Sequence, residues 1–312
     1  MIVRWTFQEL RRARARVTGS VVAVAAAFAL VIMFRAVWEG ETRQIGVYLE
    51  RAGADVWVMQ DAVSNMHMAS SFIREGKRVE IARVSGVASV SGILYLNTMV
   101  EAGGRGWFSY VVGLDEGAEA GGPWAMAAGD PEPSAGEAVI PETLARLTGV
   151  GLGDSIRISE GRFEVVGLSR ETFSVTNPVT FVSASDLADL LSLRGYDSYL
   201  LVQVESAAQA DDLAVRIEEE VDGVAALTTS ELLANDVQLS SQMGTELIAL
   251  MTGICGMLAT ALVAFALFIH TSRTRRDLVV LKALGFTNRH LYLSVLIQAT
   301  VITGLAFVSA TA

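Results

Sequence analysis

The 312-residue chain has one cysteine, three histidines and five prolines. A lone Cys255 excludes an intramolecular disulfide, so any folded domain must be held by its own core. His67, His270 and His290 are scattered and share no ligand spacing. No HExxH, no GxSxG and no GxxxxGKS/T phosphate loop occurs. Catalytic, cofactor-binding and metal residues are therefore expected to be none, and the chain cannot hydrolyse ATP by itself. Acidic residues are scarce at both ends. Residues 1–19 carry five Arg and one acidic residue, and residues 270–290 carry five basic residues and one acidic one. Between them, residues 39–246 hold 32 acidic against 13 basic residues. Base at two edges and acid in one long middle segment is the charge asymmetry of an integral membrane protein, and it argues against a nucleic-acid partner.

What is abundant is apolar surface: 52% of residues are hydrophobic and the mean hydropathy is +0.43. Leu247–Ile269 is 23 residues without a charge, enough at about 1.5 Å per residue to cross a hydrocarbon core of roughly 30 Å. Val17–Trp38 is a second run, whose one charge, Arg35, can snorkel to an interface. Glu39-Gly40 follows it with no small-x-small cleavage site, so it reads as a retained span rather than a signal peptide. Leu291–Ala312 is a third run. The basic loop between the last two reads as cytoplasmic, which also puts the N terminus inside. Val3, Phe7 and Leu10 recur at helical spacing among Arg residues, predicting an interfacial helix with Trp5 at the headgroups. The expected organisation is an interfacial helix (1–16), a first span (17–38), an extracytoplasmic domain with stalk helices (39–246), a second span (247–269), a cytoplasmic loop (270–290) and a third span (291–312).

Within the middle segment the alternation predicts strands at 55–60, 88–95, 107–114, 138–140, 155–159, 162–168, 179–182, 199–204 and 224–228. Helices are expected at 72–83, 141–147, 185–193 and 207–221. A long helix should start at Ser230 and run unbroken into the second span, and the first span should continue past Ile45, Leu49 and Ala52 as a stalk. The fold class is thus a membrane protein with α-helical spans and a large α+β domain, its two βαβ-like halves flanking a β-rich insertion at roughly 100–183. Gly149, Gly151 and Gly153 resemble a dinucleotide fingerprint, but they precede a strand rather than join a strand to a helix. Asn65-Met66-His67-Met68 offers thioether and imidazole groups that suit copper or haem iron; the plainer reading, taken here, is a surface loop with adaptable apolar contacts.

The segment after the second span carries Arg273, Arg275, Arg276, Lys282 and Arg289. The positive-inside rule accounts for these charges. It does not account for Leu278, Leu281, Ala283 and Leu284, a compact apolar edge fit to enter a groove on a partner, with Gly285 placed to end the helix. Arg275-Arg276-Asp277-Leu278-Val279-Val280-Leu281-Lys282-Ala283-Leu284-Gly285-Phe286 resembles the cytoplasmic coupling helix of MacB/FtsX-type ABC transporter permeases, with Asp277 where Glu is commoner. Gly136–Leu168 is similar to the periplasmic core domain of the same family.

That resemblance implies several things. The ATPase-coupling residues would be Arg273, Arg275, Arg276, Asp277, Leu278, Leu281, Lys282, Ala283, Leu284 and Gly285. The partners would be a separate cytoplasmic ABC ATPase, a second copy of the chain in a homodimer, membrane lipid and a periplasmic adaptor protein. The location would be the bacterial inner membrane, multi-pass. The function would be mechanotransmission from ATP hydrolysis to the outer domain, for export or extraction of a hydrophobic cargo such as a lipid, lipoprotein, drug, peptide or haem. The alternatives are a regulator of cell-wall hydrolases that moves no cargo, and a membrane-anchored sensor. The family has four spans and this sequence shows three, so the fourth is expected to be missing through truncation or to have been left out of the sequence.

Overall fold

A computed structural model describes residues 2–174, 178–206, 209–273, 279–280, 282–283 and 285–311. They fall into an end unit, Met1–Glu39 with Gln242–Ala312, and a central unit, Gly40–Ser241. The chain opens with α1 (Ile2–Arg12) and α2 (Arg14–Ile45), then α3 (Val47–Arg51), β1 (Val56–Gln60), β2 (Ile73–Arg74), α4 (Gly76–Ile81), β3 (Val87–Ala102) and β4 (Arg105–Leu114). Next come β5 (Met126–Gly129), β6 (Glu137–Pro141), α5 (Glu142–Thr148), β7 (Ser155–Ile158), β8 (Gly161–Ser169), β9 (Val179–Ser183) and α6 (Ala184–Leu191). It closes with β10 (Tyr196–Asp197), β11 (Tyr199–Val204), α7 (Ala210–Glu220), β12 (Val224–Thr228), α8 (Thr229–Arg273) and α9 (Asn288–Thr311).

One mixed sheet organises the central unit, in the order β12-β1-β11-β3-β4-β9-β6-β8-β5, with β7 bridging β3 and β8. β1 lies antiparallel between β12 and β11, and β11 antiparallel beside β3. So β1-α4-β3 is a split βαβ unit with β11 inserted, and β11-α7-β12 is another with β1 inserted. The two halves do flank the insertion in sequence; in space they interleave. The sheet then continues through β4, β9, β6 and β8 without a seam, because β4 pairs with both β3 and β9.

Period-2 alternation explains why β1 is apolar throughout. Val56 and Val58 point to one face, where Leu200, Val202, α4 (Ile81) and α7 (Leu213, Ala214, Ile217) bury them. Trp57 and Met59 point to the other, where Tyr48 and Leu49 of α3, Leu232 of α8 and Met66 cover them. A third cluster packs α5 and α6 (Leu144 excepted, Ala145, Leu187, Ala188) against Val111, Ala138, Ile140, Phe163 and Val165. Each of the four larger side chains that seal the first face is essentially inaccessible, and at about 25 cal/mol per Å² such burial is the main stabilising term.

Several boundaries differ from the sequence expectation. Residues 73–74 pair with β10 before α4 begins, so the expected helix at 72–83 is shorter. β3 runs on to Ala102, since its hairpin with β4 turns only at Gly103-Gly104, where both glycines take positive φ. β5 was not expected; it forms on the edge of β8 within a Gly/Pro-punctuated stretch. α7 starts at Ala210; Ala207 and Ala208 lie outside the described residues. Pro141 stands at the N-cap of α5, where its missing N–H costs nothing, and Gly149 at its C-cap is left-handed. Gly149 and Gly153 are therefore turn residues.

Arg78 ties α4 to the sheet. Its Nε donates to Asp197 Oδ2 at 2.6 Å, its Nη2 to the other oxygen, and its Nη1 to Asp115. Asp197 is 1% exposed; burial raises its carboxyl pKa above 3.8 and Arg78 pulls it back.

In the end unit, Ser294, Gln298, Ile302 and Ala306 form a buried stripe at four-residue spacing on α9. α1 packs against α9, with Leu10 buried and Val3 and Phe7 exposed. Phe28 meets Phe307 edge-on at 5.9 Å. Val17–Val37 and Asn288–Thr311 are, among the described residues, long and apolar enough to cross a membrane. Leu250–Phe265 within α8 is a shorter apolar stretch. Arg35 pairs with Glu39 at 2.9 Å, both exposed.

Candidate functional site

Two parts of the chain bear on function: the segment after α8, and the base of α8 in the central unit. α8 is a single helix of 45 residues, about 68 Å long at 1.5 Å per residue. Its start is written locally. Thr228 and Glu231 form a capping box: Glu231 Oε2 accepts from Thr228 N at 3.0 Å, and Thr228 Oγ1 accepts from Glu231 N at 3.3 Å. Thr229 then fastens the helix to the strand beside it. Its Oγ1 donates to Ala54 O at 2.6 Å and accepts from Trp57 Nε1 at 3.2 Å, while its N–H donates to Asp55 O at 3.0 Å.

Two turns along α8, Asp236 is 2% exposed. Its Oδ1 accepts from two successive backbone N–H groups, Met66 at 3.0 Å and His67 at 3.1 Å. Consecutive amides converging on one oxygen form a small anion nest. Burial raises the Asp236 carboxyl above 3.8; the two amides and His67 oppose that rise. One residue earlier, Asn235 Nδ2 donates to Ser64 O at 2.9 Å. The same 61–72 loop reaches the sheet on its other side. His67 Nδ1 bonds Tyr110 Oη, Tyr199 Oη donates to Ala69 O at 3.3 Å, and Gln60 N donates to Ser71 Oγ at 2.8 Å. Tyr110, Tyr95, Tyr199 and Trp57 continue inward as edge-on rings 5.2–6.1 Å apart. Burial raises all three tyrosine hydroxyls above their ordinary value, so they stay protonated.

The Asn65–Met68 stretch is thus only partly the surface loop expected from sequence. Met66 is buried in the core and the His67 ring is engaged, while Met68 is 60% exposed. Asp236 and Thr229 were not picked out from sequence. A signal was present: Leu232 and Asp236 are four apart, which puts a carboxylate on the buried face of the helix.

α3 approaches α8 closely. A Cβ on Gly46 would overlap Leu233 Cδ1. Gly46 also interrupts the expected stalk, since α2 ends at Ile45 and α3 begins at Val47.

Of the predicted coupling residues, Arg273 is the last of α8. Arg275, Arg276, Asp277, Leu278, Leu281 and Leu284 lie outside the described residues. Lys282 and Ala283 are helical and exposed, as are Val279 and Val280. Gly285 has φ 91° and its N–H donates to Lys282 O at 3.1 Å, the left-handed turn that ends a helix. Thr287 then begins the next one: His290 N donates to Thr287 O at 3.0 Å, and Thr287 Oγ1 bonds His290 Nδ1 at 2.8 Å.

Comparison with known proteins gives these parts a family. Residues 18–220 match the MacB-like periplasmic core domain, and residues 249–312 match the FtsX-like permease C-terminal. No curated protein matches. Among solved structures, the periplasmic region of MacB from Actinobacillus actinomycetemcomitans is similar at 11% identity and TM-score 0.44, over 60% of this chain and 94% of that one. The extracellular domain of the noncanonic ABC-type transporter YknZ from Gram-positive bacteria is similar at 13% identity and TM-score 0.42, over 56% of this chain and 100% of that one. The family assignment rests on the two domain matches, which together cover most of the sequence in the family's order. Such permeases are membrane-embedded, carry a periplasmic domain, and work with a cytoplasmic ABC ATPase as its non-catalytic partner. With a MacB-like core domain followed by an FtsX-like permease segment, the chain belongs to the MacB/FtsX family of ABC transporter permeases.

Proposed function

We propose that this permease converts ATP hydrolysis by a separate cytoplasmic ATPase into motion of its outer domain, residues 39–246, to export or extract a hydrophobic cargo from the outer face of the bacterial inner membrane. In this reading the N terminus is cytoplasmic, residues 17–38, 247–269 and 291–312 cross the bilayer, and two copies pair to recruit two ATPases. Residues 273–285 dock on the ATPase: Arg273, Arg275 and Arg276 meet acidic surface or headgroups, and Leu278, Leu281, Ala283 and Leu284 enter a groove. The cargo is of the lipid, lipoprotein, drug, peptide or haem kind, and a periplasmic adaptor is a further partner.

The observation that supports this most is α8. It begins bonded to the strand beside Trp57 and ends, unbroken, at the first residue of the docking segment. A continuous helix leading from a sheet to a docking segment is the part a mechanical relay requires.

The test is association of the intact permease with its ATPase, comparing wild type with Leu281→Asp and Ala283→Asp. Burying a charge on the docking edge carries a large penalty. Wild type should bind and stimulate hydrolysis, and both variants should lose binding. Unchanged binding in the variants, or no associating ATPase, sinks the reading.

A further inference from the structure

The 61–72 loop is the element the proposed function leaves without a role. It is pinned on two sides. Towards α8, Asp236 takes the N–H groups of Met66 and His67, and Asn235 takes the Ser64 carbonyl. Towards the sheet, Tyr110 of β4, Tyr199 of β11 and Gln60 of β1 hold His67, Ala69 and Ser71. Met66 fills the core between them. The loop therefore joins the helix to β4 and β11, two strands beyond the β1 segment to which Thr229 of the helix's first turn is fastened.

A helix held only at its first turn pivots about that turn when its far end is displaced. A second anchor two turns along, about 10 Å from the first, turns the pivot into a lever clamped at two points. Asp236 is suited to be that second anchor. It is a buried carboxylate whose cost of desolvation is offset by two charge-assisted hydrogen bonds, so letting go of the loop would leave the carboxylate without either.

We propose that Asp236 is the positioning residue that locks α8 to the sheet through the Asn65–Ala69 loop, so that displacement of α8 moves the whole outer domain rather than tilting the helix within it. This rests on the mechanical-relay reading above. The loop with its Met66-His67-Met68 sequence is then a strut. It stays closed throughout the cycle.

The experiment uses the intact permease with its ATPase in lipid nanodiscs, Cys255→Ala, and spin labels on introduced cysteines. Ala234→Cys and Asn97→Cys report the distance from α8 to β3; both positions are exposed. Asn97→Cys alone reports the separation of the two copies. Distances are read without nucleotide and with trapped ATP. In wild type the separation of the copies should shift with nucleotide, while the α8-to-β3 distance holds. In Asp236→Ala the α8-to-β3 distance should become nucleotide-dependent and the shift between copies should shrink. Asp236→Asn keeps an oxygen acceptor for both amides and should restore the wild-type pattern, which simple loss of stability would not explain.

An α8-to-β3 distance that stays fixed in Asp236→Ala while the copies still move overturns the strut and leaves the relay standing. No nucleotide-dependent distance in either pair, in wild type, overturns the relay and the strut together. If Asp236→Ala does not fold, Asp236→Ser, whose shorter side chain does not reach the Met66 and His67 amides, takes its place, and an α8-to-β3 distance that stays fixed in it while the copies still move overturns the strut.

Discussion

Two helices bracket the sheet of the central unit, and they are built differently. Before β1, α3 is only Val47–Arg51 and is set off from α2 by Gly46. After β12, α8 runs 45 residues without interruption. The first is short and carries no side-chain cap. The second is capped by Thr228 and Glu231 and fastened through Thr229 and Asp236. The sheet is thus entered through a short uncapped helix and left through a long one bonded at two levels.

Four substitutions bear on this contrast, taken from the largest effect on stability to the smallest. Arg78→Leu strands the buried Asp197 carboxylate and should cost about 3–5 kcal/mol of outer-domain stability. Because it touches neither α3 nor α8, ATPase stimulation should persist at any temperature where the domain stays folded; loss of stimulation in folded protein would show that the sheet itself, not α8, is the sensitive part. Val237→Pro places a proline in the interior of α8 and should cost roughly 3 kcal/mol while abolishing nucleotide-dependent motion. Retained motion would mean that α8 does not carry it. Gly46→Val forces a side chain into Leu233 between α2 and α3 and should cost about 1–3 kcal/mol, read by thermal unfolding. Leu233→Ala should recover part of that loss if the overlap is the cause.

The smallest effect is a pH dependence. Burial holds the Asp236 carboxyl above 3.8, so just above that pH the folded state keeps a proton that the unfolded chain has released. Wild-type stability then falls as pH rises from about 3.8 to the folded value, and levels off beyond it. Asp236→Asn lacks this contribution. The Tm of the Asn variant minus that of wild type should therefore climb from pH 4 upward and then flatten. A difference that declines with pH contradicts the raised carboxyl.

Much of this was legible in the sequence, for physical reasons that differ by element. β7 and β8 were read correctly because Ser155–Ile158 and Gly161–Ser169 alternate and face one another across a tight turn. α8 was legible as one helix because no proline interrupts Thr229–Arg273. What escaped was whatever depends on distant partners. The interleaving of the two βαβ units is set by β1 pairing with β11 and β12, some 145 and 170 residues away, and no local pattern carries that. β5 hid among turn residues because its partner, β8, supplies the ladder. Asp236 shares a helix face with Leu232, but no local pattern shows that the loop at Met66 and His67 satisfies it. The docking segment, by contrast, was found through resemblance, and only Lys282, Ala283 and Gly285 among its apolar edge and terminus lie within the described residues.

The pairing of β12 with β1 also has a consequence for how the protein is made. Val56–Gln60 leaves the ribosome early, yet its register with Val224–Thr228 can be filled only after nearly the whole outer domain has followed. Until β11 arrives both edges of β1 are open, and one stays open until β12 follows. The strand that closes it is the last residue run before α8, so the sheet is completed only some twenty residues before the next apolar segment, Leu250–Phe265, follows. Closing so long a loop is slow, and an unfilled strand edge invites the wrong partner. Biogenesis of this permease therefore has its most vulnerable interval between translocation of residue 60 and translocation of residue 228, and an assisting chaperone would need to act on the outer side of the membrane during that interval.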